Sequence, residues 1–131
     1  MSAHTDPTQP IDAYKAIIDG LVAETRRSLR ASRVFEKGIF SNAVDAHPLN
    51  AFVASLSPDQ RGLLAAMLQE ERDGAIYDVL AHLTWWIVAR DVGFTFNGEP
   101  MPVELSGMGL HGDYVGRRDG WEWPGEADGT A

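Results

Sequence analysis

The chain has 131 residues, 44% of them hydrophobic and 23% charged, with a net charge of −8 and no cysteine. That size and balance describe one soluble globular domain, and the missing cysteines exclude a disulfide framework, thiolate chemistry and Cys-ligated metals. Residues 1–47 hold six basic and six acidic side chains, whereas residues 48–131 hold five and thirteen, so the second part carries the whole acidic excess. An acidic surface repels phosphate backbones, which argues against nucleic acid as a partner. It is compatible with a cationic protein partner or a divalent metal. No apolar run has membrane-spanning length, and Met1 to Pro7 lack the basic and apolar regions of a signal peptide. A cytoplasmic protein that does not engage membranes is expected.

Residues 1–9 are small, polar and proline-bearing, which predicts disorder. From Pro10 onward, Ile11, Tyr14, Ile18, Leu21 and Thr25 recur at helical spacing, with Ile17 and Val22 widening the stripe. The same face continues through Ser28 and Ser32 to Phe35, and Gly38 follows Lys37 as a C-terminal signal. One long helix over 10–37 is predicted. Arg26, Arg30, Arg33 and Lys37 share a face of it, with Arg27 beside them. A solvated cationic face near the helix C-terminus is the expected role, in preference to a docking strip for an acidic surface such as a second copy of the chain.

Ile39 to Ala46 read as a loop turning at Ser41-Asn42, and Pro48 opens a short helix over 47–56 capped by Asp45 or His47. Leu49, Phe52, Val53 and Leu56 form its apolar face. Ser57-Pro58-Asp59-Gln60 then combines a hydroxyl cap, a proline at the first helical position and a Gln three residues after the cap. Apolar residues follow at helical spacing to Trp86. An unbroken helix here would exceed about 30 residues, long for a globular domain. Gly74 costs about 1 kcal/mol against Ala inside a helix, and Asp73 before it is an acceptable N-cap. Two helices are therefore predicted, 58–72 and 74–91. The second, with Trp85-Trp86-Ile87-Val88, is apolar on most of its surface and expected to be the most buried element.

After Gly93 the period changes. Phe94-Thr95-Phe96 alternates, Asn97-Gly98 is a strong hairpin turn signal, and Pro100 and Pro102 limit the return strand. A small edge hairpin over 94–104 is predicted. The tail 105–125 is glycine-rich and then aromatic, and is expected to fold over the preceding two-Trp helix. Residues 126–131 should fray. The fold class is mainly α: a compact four-helix bundle in a single domain over 10–125, with a small β-hairpin and a Gly- and aromatic-rich C-terminal tail packed on it.

Gly107-x-Gly109-x-x-Gly112 matches the dinucleotide-binding pattern in letters. That motif needs a preceding strand, a following helix and a βαβ unit. A proline-laden hairpin precedes it here, so a tight glycine turn is the better reading. Arg117 and Arg118 close by could hold an anion against backbone N–H groups, although Asp113, Asp119 and Glu122 are competing partners. Glu71, Asp78 and His82 fall at i, i+7 and i+11, on one face of a continuous helix, and His111 and Asp113 in the tail could complete a site. That donor mixture would suit zinc, manganese or iron. Such spacing more often marks a solvated acidic face, so no cofactor is assigned. No serine sits in a nucleophile elbow, and Ser106 with His111 has no triad spacing. The expected function is a non-enzymatic protein-interaction or regulatory module, homodimeric so as to cover the apolar helix. The alternative is a metal-dependent, hydrolase-like enzyme.

Overall fold

The computed structural model describes residues 6–126. Of the disorder predicted for residues 1–9 and the fraying predicted for 126–131, the parts at 1–5 and 127–131 lie outside the described residues. The protein is mainly helical, with one small antiparallel hairpin. Among the described residues, four α-helices precede the hairpin and a fifth follows it: α1 (Pro10–Arg26), α2 (Leu29–Lys37), α3 (His47–Ala54), α4 (Pro58–Arg90), β1 (Thr95–Phe96), β2 (Glu99–Pro100) and α5 (Gly109–Arg118). No described helix is long and apolar enough to cross a membrane.

The helix predicted over 10–37 is two helices. Ser28 stops the first and starts the second: its backbone is extended and its Oγ accepts from the Ala31 N–H at 3.1 Å. A serine hydroxyl that satisfies an orphan N–H outweighs the gain from continuing the stripe. Restarting the helix there also changes which side chain faces inward. Val34 is fully buried, whereas Phe35, predicted on the apolar stripe, is 58% exposed. Gly38, in the left-handed region at φ 67°, ends α2 as predicted.

The two helices predicted over 58–72 and 74–91 are one. Ser57 and Gln60 form a reciprocal capping box, with Gln60 N–H donating to Ser57 Oγ at 3.2 Å and Ser57 N–H to Gln60 Oε1 at 2.8 Å. From there α4 runs 33 residues without a break. The physical reason is a comparison of costs: Gly74 inside the helix loses about 1 kcal/mol, while a break would orphan a new set of terminal N–H and C=O groups. Asp91 in the left-handed region (φ 56°) ends it, and Val92 N–H returns to the Trp86 carbonyl at 3.2 Å.

Helix α3 begins at His47 after a 3-10 turn over Val44–Ala46, and neither Asp45 nor His47 caps it. Asn50 does the ordering instead. Its Oδ1 accepts from the N–H groups of Phe40 and Ser41, at 2.7 and 3.0 Å, and its Nδ2 donates to the Ser41 carbonyl at 2.7 Å. The hairpin turns at Asn97-Gly98, both at positive φ, with Thr95 opposite Pro100 and Phe96 opposite Glu99. Its strands have only two residues each, because Pro100 and Pro102 have no N–H to extend the ladder.

The chain groups into two compact units. One comprises the residues up to Ala23 and from Ile76 onward; the other is Glu24–Ala75. The first has a core of Tyr14, Ile18, Val22, Leu80, Leu110, Tyr114 and Trp123. The C-terminal segment is thus packed, and Trp123 meets Tyr14 edge-on at 5.9 Å. In the second, Val34, Ala46 and Val53 are buried. There the carbonyls left open at the end of α1 are taken up by α4: Gln69 Nε2 donates to the Thr25 oxygen, and Arg72 donates to the Glu24 oxygen at 3.2 Å.

The two-Trp segment is not the most buried element. Leu80 alone on α4 is fully buried, whereas Trp85, Trp86 and Val88 are 49, 42 and 70% exposed. Tail and hairpin cover one side of this segment, the side of Ile76, Leu80, Leu83 and Ile87. An apolar helix is buried only on the faces that its neighbours reach.

Candidate functional site

The predicted site residues are dispersed among structural roles. Glu71 and Asp78 are exposed on α4. His82 Nε2 accepts from the Trp86 indole N–H at 3.2 Å, one turn along the same helix. His111 Nδ1 lies 3.4 Å from Thr84 Oγ1, and its ring stands edge-on to Tyr77 at 5.1 Å. Among the described residues, no three His, Asp or Glu side chains gather closely enough to hold a metal ion.

Asp113 has a different environment from the others. It is fully buried on α5 and accepts three hydrogen bonds: from the Tyr14 hydroxyl, from Leu105 N–H at 2.8 Å and from Ser106 N–H at 2.8 Å. One carboxylate thereby ties α1, the turn after the hairpin and α5 together. Burial first, and the adjoining carboxylate second, push the Tyr14 hydroxyl well above its ordinary value near 10. Tyr14 therefore stays protonated and remains the donor.

Arg117 and Arg118 are likewise held by carboxylates. Arg117 forks onto Asp19, Nε to Oδ1 at 2.7 Å and Nη2 to Oδ2 at 3.1 Å, and a third N–H reaches the Trp121 carbonyl at 2.7 Å. The Trp123 indole N–H donates to the same Asp19 at 3.1 Å. Arg118 pairs with Asp119 at 2.9 Å. The glycine-rich run serves packing. Gly109, at φ 83°, opens α5 so closely against α4 that an added Cβ would stand 3.0 Å from the Thr84 methyl, and Leu110 N–H donates to Thr84 Oγ1 at 2.9 Å. A Cβ at Gly116 would meet the Trp121 ring at 3.1 Å.

Above this framework lies an apolar pocket of about 460 Å³. Tyr14, Ile17, Ile18 and Leu21 line it from α1, at i, i+3, i+4 and i+7. Val79, Leu80 and Leu83 line it from α4, Phe94, Thr95, Phe96 and Met101 from the hairpin, and Leu110 from α5. Phe94 and Phe96 are half-buried and Thr95 between them is exposed, although all three line the pocket. Its volume falls within the roughly 300–1,000 Å³ range of ligand-sized cavities. Ile17 and Val79 are 51 and 57% exposed. The sequence carried a partial signal for this pocket, since Ile17 widens the α1 stripe that holds Tyr14, Ile18 and Leu21. Nothing in spacing alone joins that stripe to the hairpin.

Residues 7–125 match a family described as "Family of unknown function (DUF6547)". No curated protein and no solved structure matches the chain.

Proposed function

We propose that this chain, which belongs to that family of unknown function, is a protein-interaction module whose apolar pocket receives side chains of a basic, amphipathic partner segment. The observation that carries the reading is the pocket itself, apolar throughout and edged by the half-exposed Ile17 and Val79. Burial of apolar anchors in such a recess supplies most of the energy of a protein contact. Charge favours a cationic partner. The unit that holds the pocket carries the whole net charge of −8, because Glu24–Ala75 has seven basic and seven acidic side chains.

The test is titration of the full chain with a Leu/Lys amphipathic peptide and with its Leu/Glu counterpart, read by peptide anisotropy. The basic peptide should bind, more weakly as salt rises, and the acidic one should not. Val79→Asp should weaken binding by roughly tenfold or more, since it sets a charge in an apolar contact. Equal binding of both peptides, or no effect of Val79→Asp, would rule the pocket out. A second reading, self-association into a homodimer, is favoured by the exposure of Trp85, Trp86 and Val88. Light scattering on the full chain and on Trp85→Glu distinguishes it.

A further inference from the structure

A second cleft, of about 630 Å³, lies within Glu24–Ala75. Four arginines line it, Arg27, Arg30, Arg33 and Arg72, against two acidic residues, Glu24 and Glu71. Arg27, Arg30 and Arg33 of the cationic stripe share this cleft with Arg72, and all four are exposed. Arg72 comes from α4, and the break at Ser28 gives α2 its own start.

The positive charge is only partly spent. Arg27 pairs with Glu24 at 2.7 Å, and both side chains remain exposed. Arg72 gives one N–H to the Glu24 carbonyl, and a guanidinium has five. The Arg30 guanidinium lies over the Phe40 ring, 4.2 Å from its centroid. Stacking of that kind fixes the plane of the group and leaves its edge N–H groups free to donate. Arg33 has no carboxylate partner among the described residues. One wall of the cleft is apolar: Leu29, 73% exposed, with Leu68 and Ala75.

We propose that this cleft binds a small organic phosphate. Arg30, Arg33 and Arg72 hold the phosphate, and Leu29 and Leu68 contact its apolar part. Arg30 and Arg33 come to the cleft from α2 and Arg72 from α4, so its cationic groups are not confined to one helix face. A phosphate offers acceptor oxygens in several directions, whereas a carboxylate offers them in one plane. The apolar wall favours an organic ester over the inorganic ion. The cleft is independent of the apolar pocket and of the interaction reading built on it.

The experiment is titration of the full chain with phenyl phosphate, inorganic phosphate and sulfate, followed by calorimetry and by backbone amide NMR shifts. Phenyl phosphate should bind saturably and more tightly than the two inorganic ions, with shifts confined to residues 24–33 and 68–75. Arg33→Gln and Arg72→Gln should each weaken it roughly tenfold, the loss of one charge-assisted contact. Glu71→Gln should tighten it by removing a like charge, a gain that a purely structural role would not produce. Circular dichroism checks that these exposed-site variants keep the fold. The proposal is overturned by the absence of saturable binding, by shifts elsewhere, by equal affinity for all three anions, or by a Glu71→Gln variant that binds no better. Preferential binding of duplex DNA by the same arginines would overturn it as well.

Discussion

Removal of the Tyr14 hydroxyl tests the latch around Asp113 directly. In Tyr14→Phe the ring and its packing on Trp123 remain, while the buried carboxylate loses one of its three donors. A hydrogen bond to a charged group contributes about 1.5–3 kcal/mol. The second contact of the hydroxyl, an acceptance from Glu104 N–H at 3.3 Å, is long and adds little. A loss of about 2 kcal/mol is expected. Asp113→Asn should cost more, about 3 kcal/mol or above. Both carboxylate oxygens accept a backbone N–H, Oδ1 from Ser106 and Oδ2 from Leu105, so an amide NH₂ in either orientation confronts a donor. Urea denaturation at neutral pH gives both values, and the predicted order is Asp113→Asn below Tyr14→Phe below wild type. An Asp113→Asn variant within about 0.5 kcal/mol of wild type, the range of ordinary surface substitutions, would refute the latch.

The same hydroxyl sets the alkaline limb. Its proton is held more tightly in the folded than in the unfolded chain, because burial and Asp113 both oppose the phenolate. Below about pH 10, the ordinary tyrosine value, Tyr14 is protonated in both states and its contribution is complete. Above that, the unfolded chain releases the proton and the folded chain does not, so stability falls as pH rises. Tyr14→Phe should flatten this fall in denaturation series run from about pH 8 to 11, a window that contains the ordinary tyrosine value. An unchanged slope would assign the alkaline limb to other groups.

Two further substitutions check the helix and the core. Gly74→Ala should stabilise the chain by about 1 kcal/mol, since Gly74 lies inside a continuous helix with nothing within 4 Å of an added Cβ; thermal melts read it, and destabilisation would count against the unbroken α4. Trp123→Ala should cost about 3–5 kcal/mol as a core deletion, given 1% exposure. Trp86→Ala, at 42% exposure, should cost clearly less in denaturant titrations, and equal losses would mean that Trp86 is covered.

Helix content was legible because it rests on local rules. Ser57 and Gln60 sit at capping-box spacing, and Asn97-Gly98 asks for positive φ at both residues; the structure has both features. Boundaries depended instead on competition between local rules. At Ser28 a cap and a stripe pointed different ways and the cap won. At Gly74 a cap candidate and a glycine pointed to a break, and the unbroken backbone ladder won. Helix α5 was missed because Gly109, Gly112 and Gly116 lower helix propensity. Their value lies in close approach to Thr84, Met108 and Trp121, which no single-residue scale registers.

The candidate sites were less legible for a reason of distance along the chain. Tyr14 and Asp113 are 99 residues apart, and Asp19 meets Arg117 across 98. Spacing rules see only neighbours within a few turns, so they selected Glu71, Asp78 and His82, which share a helix, and passed over Asp113's true partners. Arg118 pairs with its sequence neighbour Asp119, a partner visible from spacing, whereas Arg117 pairs with the distant Asp19, which spacing does not reach. In a charged chain the two tests separate by burial. A carboxylate enclosed with three donors is committed to holding the fold together, as Asp113 is. Partly exposed arginines that share a cleft with too few carboxylates retain unused donors, as Arg30 and Arg33 do, and such groups are where a ligand gains most by binding.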